Sequence, residues 1–129
     1  MSNAKPLIAI VDDDKSVCRA LKRLVRSLGM DGETFASGQE FLDLVEAMPS
    51  FHPDCVVLDV QMPGLNGLEV QERLAINGNP LPVIFITAHD DAVPRERALA
   101  AGAVAFVRKP FNDELFMKTL NAALKTEID

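Results

Sequence analysis

Five side chains at four separated places could share one chemistry: the carboxylates of Asp12, Asp13 and Asp59, the hydroxyl of Thr87 and the ammonium of Lys109. Each lies at the end of a short apolar run, namely Leu7–Val11, Cys55–Leu58, Pro82–Ile86 and Ala103–Val107. In a parallel sheet such points are the carboxyl ends of strands, the edge at which open α/β folds bind ligands. Carboxylates gathered there repel one another, by on the order of several kcal/mol at an effective dielectric near 20, unless a cation intervenes. An all-oxygen donor set favours a hard divalent ion, magnesium or manganese, and nothing in the chain has the make-up of a zinc site. A hydroxyl and an ammonium beside such an ion suit the equatorial oxygens of a transferring phosphoryl group.

Taken singly, each residue has a plainer explanation. Asp12-Asp13-Asp14 can be a solvated turn, with Asp14 or Ser16 capping the helix that follows. Thr87 can be an ordinary β-branched strand residue, and Lys109 a surface charge. Asp59 resists such an account: it ends the run Cys55-Val56-Val57-Leu58, where an unpaired buried carboxylate is costly, and Asn66 already serves to cap the next helix. The shared placement of all five at strand ends is what argues for a site.

The elements that must position them alternate along the chain. Leu7–Val11 reads as a strand buried on both faces. A helix follows with Val17, Leu21, Leu24, Val25 and Leu28 on one face and Lys15, Arg19, Lys22, Arg23 and Arg26 on another, stopping at Gly29. A weak second strand spans 33–35. Ser37 and Glu40 have capping-box spacing and open a helix carrying Phe41, Leu44, Val45 and Met48. A third strand covers 55–58; Asn66 caps a third helix running through Leu74; a fourth strand covers 82–86. Pro94 suits the first position of an alanine-rich fourth helix that stops at Gly102, a fifth strand covers 103–107, and Asn112 caps the last helix. Right-handed crossovers turn this (βα)5 order into one doubly wound parallel sheet with helices on both faces.

Composition narrows the class. The 129 residues, 48% apolar and 25% charged, suit a single globular domain. A net charge of −6 disfavours binding to a nucleic-acid backbone, so any action on DNA falls to another domain. No apolar run is long enough for a bilayer span, and Leu7–Val11 is too short for a signal sequence. Cys18 and Cys55 read as reduced core thiols of a cytoplasmic protein. Residues 1–4 are taken as a cloning remnant or a disordered tail.

Four segments together resemble the receiver domain of bacterial two-component response regulators: Ile10-Val11-Asp12-Asp13-Asp14, Val57 through Gly67, Ile86-Thr87-Ala88 and Val107 through Phe111. The likeness covers roughly residues 5–127 and, within the family, is greatest to the FixJ-type (LuxR-family) transcriptional regulators. It implies a flavodoxin-like sheet in strand order 2-1-3-4-5, a phosphoacceptor signalling domain rather than an enzyme, and assistance by the domain to its own phosphorylation and dephosphorylation. By the same resemblance Asp59 takes a phosphoryl group from the phosphohistidine of a sensor histidine kinase or phosphotransfer protein. Asp13, Asp59 and the backbone carbonyl of Gln61 ligate magnesium, with Asp12 acting through water. Thr87 and Lys109 contact phosphoryl oxygens, and Lys109-Pro110 is a cis peptide.

Phe106 matches the family's switch aromatic, which fills space that Thr87 vacates beside the small Ala88; plain core packing is the alternative. Gln61 and His89 match positions that tune phosphoryl lifetime, and His89 reads first as a solvated loop histidine and second as a base. The basic first-helix face could steer an acidic kinase surface, or be an ordinary wet face. The last two helices and the fifth strand form a face that many relatives use to dimerise. The resemblance leaves open whether the receiver serves a transcriptional output domain, an attached kinase or a stand-alone relay. Two other classes fit worse. A haloacid-dehalogenase-type hydrolase needs an aspartate where Gln61 stands. A flavodoxin-like flavin carrier needs a Ser/Thr/Gly-rich phosphate loop where three aspartates stand.

Overall fold

The computed structural model describes residues 5–88 and 92–125. His89 and residues 1–4 lie outside them. Ten elements alternate: β1 (Leu7–Val11), α1 (Lys15–Ser27), β2 (Asp31–Phe35), α2 (Gly38–Ala47), β3 (Cys55–Asp59), α3 (Gly67–Ile76), β4 (Val83–Thr87), α4 (Ala92–Ala100), β5 (Ala105–Arg108) and α5 (Asp113–Lys125). The strands form one sheet in the order β2-β1-β3-β4-β5, and every pair is parallel. This is the doubly wound flavodoxin-like architecture expected of the sequence.

Because side chains alternate along a strand, each central strand feeds two cores. Ile8, Ile10, Val57, Ile84 and Ile86 meet Leu21 and Val25 of α1 and Phe116 and Leu120 of α5. Ala9, Val11, Val56, Leu58 and Phe85 meet Phe41 of α2, Val70 and Leu74 of α3 and Ala98 of α4. Burial on both faces explains why β1, β3 and β4 read as unbroken apolar runs.

The helix ends follow their local chemistry. Asp14 caps α1 by accepting from Ser16 N at 2.9 Å, and its hydrogen bond from the Ser16 hydroxyl holds its carboxyl below the usual range. Ser37 Oγ accepts from Glu40 N at 3.1 Å. Asn66 and Glu69 close a reciprocal capping box on α3. Asn112 Oδ1 accepts from Leu115 N at 2.7 Å. Gly29 (φ 82°) supplies the left-handed turn that ends α1.

Several boundaries differ from the sequence reading, each for a physical reason. β2 begins at Asp31 rather than Glu33 because Asp31 and Gly32 pair with Leu7 and Ile8. The pairing is set by the neighbouring strand, not by local propensity. β5 begins at Ala105 rather than Ala103, since Ala103 N is occupied in closing α4 on the Ala98 carbonyl. β4 runs from Val83 to Thr87, so Thr87 is the last residue of the strand and not the one after it. Pro94 is the third residue of α4, not the first. The first-turn amides of a helix have no acceptor within it, so proline is tolerated there. Met48, assigned above to the apolar face of α2, is its C-terminal cap and is half exposed.

Candidate functional site

The sheet brings the separated residues to one edge. Asp12 and Asp13 follow β1, Asp59 ends β3, Thr87 ends β4 and Lys109 follows β5. Asp12, Asp59 and Thr87 are buried, while Asp13 is exposed. Carboxylate oxygens of Asp12, Asp13 and Asp59 all lie within 4.8 Å of one another. Lys109 reaches across two strands to this cluster, with Nζ 2.9 Å from Asp12 Oδ2 and 3.5 Å from Asp59 Oδ1.

Backbone contacts hold these side chains in place. Asp12 N donates to the Phe35 carbonyl, and Val60 N donates to the Ile86 carbonyl at 3.1 Å, which continues strand pairing past Asp59. Lys109 N donates to the Thr87 carbonyl at 2.6 Å, and the Lys109-Pro110 peptide is cis. Asp12 Oδ1 accepts from Asp14 N at 2.9 Å.

The electrostatics show a site short of positive charge. Burial, then the charge of Asp12, pushes Asp59 up to about 6, against the opposing pull of Lys109. For Lys109, burial acts downward, but its hydrogen bond to Asp12 and the charges of Asp59 and Asp12 outweigh it and raise the ammonium pKa. One lysine thus serves two buried carboxylates and leaves a third beside them.

The structure places Gln61 exposed on the loop after β3. Phe106 is half-buried, next to Phe85 across the strand pair, with ring centroids 6.0 Å apart. Arg108, opposite Thr87, is exposed.

Two residues acquire a part in the site that their types alone do not suggest. Cys18 Sγ donates to the Asp12 carbonyl at 3.2 Å, and burial with the Asp12 charge pushes its thiol pKa up, so the group stays protonated and able to donate. Gly67 starts α3 directly under the end of β3, and its N donates to the Val60 carbonyl at 2.9 Å. A Cβ at this position would collide with the Asp59 carbonyl oxygen and come within 2.9 Å of the Phe85 ring. Gly67→Ala is therefore expected to destabilise the domain by about 1–3 kcal/mol, the usual cost of overfilling a packed site. A denaturant midpoint equal to that of the parent chain would contradict this.

Comparison with known proteins places the chain in a family. The profile of the response regulator receiver domain matches residues 8–121, and the chain belongs to that family, the receivers of two-component response regulators. It is 42% identical over 125 residues to the response regulator protein TodT of Pseudomonas putida, covering 97% of this chain and 54% of that protein. It is 36% identical over 118 residues to the transcriptional regulatory protein FixJ of Bradyrhizobium diazoefficiens, covering 92% of this chain and 56% of that protein. The chain thus spans about half the length of the curated relatives it matches. A crystal structure of a response regulator receiver protein from Burkholderia phymatum superposes with a TM-score of 0.85 at 63% identity, covering 94% of this chain and 96% of that one.

Proposed function

We propose that the unit spanning residues 5–127 accepts a phosphoryl group on Asp59 from the phosphohistidine of a sensor histidine kinase or phosphotransfer protein. The observation that carries this reading is the Asp59 carboxylate, buried 3.5 Å from the Lys109 ammonium within the three-carboxylate cluster. With its pKa near 6, Asp59 is mostly ionised and nucleophilic at neutral pH. One Asp59 oxygen forms the new P–O bond as the donor's P–N bond breaks, and the electron pair leaves on the imidazole nitrogen. Lys109 and Thr87 meet the equatorial oxygens on which charge spreads.

The donor set fits magnesium, with manganese a substitute: the candidate ligands are all oxygens and their charge exceeds what Lys109 neutralises. Asp13 and Asp59 would bind it through carboxylates, Gln61 through its backbone carbonyl and Asp12 through water. When bound, the ion neutralises carboxylate and phosphoryl charge together.

The test is intact mass after incubation with magnesium and a small-molecule phosphodonor. The native chain should gain one phosphoryl group and Asp59→Asn none. A gain by Asp59→Asn, or no gain by the native chain, would refute the assignment.

We read Thr87 and Phe106 as the switch, supported by their places on adjoining strands and by Phe106 being half-buried against Phe85. Phe106 lacks a hydrogen-bonding group, so packing alone would report the state of Asp59. Phe106→Ala should still take up the phosphoryl group at a rate within a few-fold of native but lose the phosphorylation-dependent change in association or output. A variant that still switches would sink this role.

The remaining assignments follow the same reading. Leu99 on α4 and Leu115 on α5 are exposed apolar side chains on the two helices that, with β5, would pair two phosphorylated copies. Output, most simply transcription, would fall to a segment outside this chain, given the net charge of −6. A relay receiver without DNA-binding output is the second possibility. We place the domain in the cytoplasm: its two cysteines are buried and carry no disulfide, and no helix among the described residues is long and apolar enough to cross a membrane.

A further inference from the structure

α4 is held to the body of the domain differently from the other helices. Among its described side chains Ala98 alone is buried, and Val93, Arg95, Glu96, Arg97, Leu99 and Ala100 are exposed. An alanine removes little apolar area from water, so burial stabilises the docking of α4 weakly. The ion pair between Arg97 and Glu72 of α3 spans 4.0 Å with both side chains more than half exposed, a geometry that contributes little.

A buried hydrogen bond supplies what burial does not. Gln71 of α3 is 7% exposed, and its Nε2 donates to the carbonyl of Ala98 at 3.1 Å. That carbonyl also accepts from Ala103 N at 3.0 Å, so both of its lone pairs are used. A glutamine so far inside an apolar helix interface is costly unless paired, and this partner lies on the neighbouring helix. Gln71 stands one turn beyond Gly67, whose start of α3 is pressed against the Asp59 carbonyl. The position of α4 relative to the end of β3 is therefore transmitted through one turn of α3.

We propose that Gln71 is a latch, a positioning residue whose single bond to Ala98 sets how often α4 releases from the domain as a local unit. α4 is the next element after Thr87 in the chain, so its release bears on the Thr87 end of the site. That consequence for signalling rests on the phosphoacceptor reading, whereas the latch does not.

Amide hydrogen exchange on the unphosphorylated, magnesium-free chain tests the latch. Gln71→Met keeps the side-chain length and removes the donor. Exchange of the α4 amides should rise by roughly 3- to 10-fold, the worth of one buried hydrogen bond, while amides of β1, β3 and α5 change by less than about twofold. Gln71→Glu sets a carboxylate against the Ala98 carbonyl and should open α4 at least as far. Unchanged α4 exchange in either variant, or equal acceleration in every element, would overturn the proposal. Because no phosphoryl group is involved, failure here would leave the role of Asp59 standing, and failure of Asp59 to accept phosphate would leave the latch standing.

Discussion

Lys109→Ala is expected to slow phosphorylation of Asp59 by a small-molecule donor on the order of 10²- to 10³-fold at saturating magnesium, the loss that follows removal of one preorganised charge-stabilising donor. In the resting chain Lys109 bonds Asp12 at 2.9 Å and lies 3.5 Å from Asp59. The same ammonium is the structural partner of two buried carboxylates and, in the function proposed above, the group that would meet the phosphoryl oxygens. Its removal should show in stability as well. Without metal at pH 7, truncating one member of a buried pair strands the other, and a cost of about 3 kcal/mol is expected. Magnesium should recover most of the stability and little of the rate, because it can neutralise the carboxylates but cannot stand where Nζ meets the phosphoryl group. Lys109→Arg restores the charge but not its compact geometry, and should recover stability better than rate. A Lys109→Ala chain phosphorylated within a few-fold of native would remove lysine from the mechanism.

A second large effect concerns Asp59 in the absence of metal. Its folded-state pKa, about 6, lies above the ordinary carboxylate value of 3.8. Between these values the folded chain holds a proton that the unfolded chain has lost. Stability contributed by this group is therefore present at low pH, falls as pH rises from about 4 to about 6, and is absent above that window. The shift corresponds to about 3 kcal/mol, and solvent reaching the open strand edge reduces it to roughly 1–3 kcal/mol. Asp59→Asn should be more stable than the native chain by that amount at pH 7, with the gap closing near pH 4. Denaturant titrations of both chains across this range read Asp59 together with its coupling to Asp12, Asp13 and Lys109, since carboxylates away from the site cancel in the difference. Magnesium should stabilise the native chain at pH 7, by about 2.7 kcal/mol at one hundred times its dissociation constant, and Asp59→Asn much less. A native chain that gains stability relative to Asp59→Asn between pH 4 and 7 without metal would show that Asp59 is not under the strain assigned to it.

Much of this protein is determined by its sequence alone. The apolar runs of β1, β3 and β4, the amphipathic face of α1 and the caps at Asp14, Ser37, Asn66 and Asn112 act over a few residues, so local pattern specifies them. The candidate site was legible for a related reason: crossover topology sends every strand's carboxyl end to one edge, so residues that end strands must converge. The tertiary structure decided what depends on neighbours distant in sequence. The start of β2 is set by pairing with β1, the start of β5 by the amide that α4 consumes, and the exposure of Met48 by where α2 ends. Sequence marks Lys109 as a charge beside acids, but only the fold makes it reach both Asp12 and Asp59. Gly67 and Gln71 show the same division: the sequence places both on the helix that Asn66 caps and assigns neither a part in the site. Only packing presses Gly67 onto the Asp59 carbonyl and aims Gln71 at the backbone of α4, because close approach and buried hydrogen bonding are properties of pairs that the linear chain keeps apart.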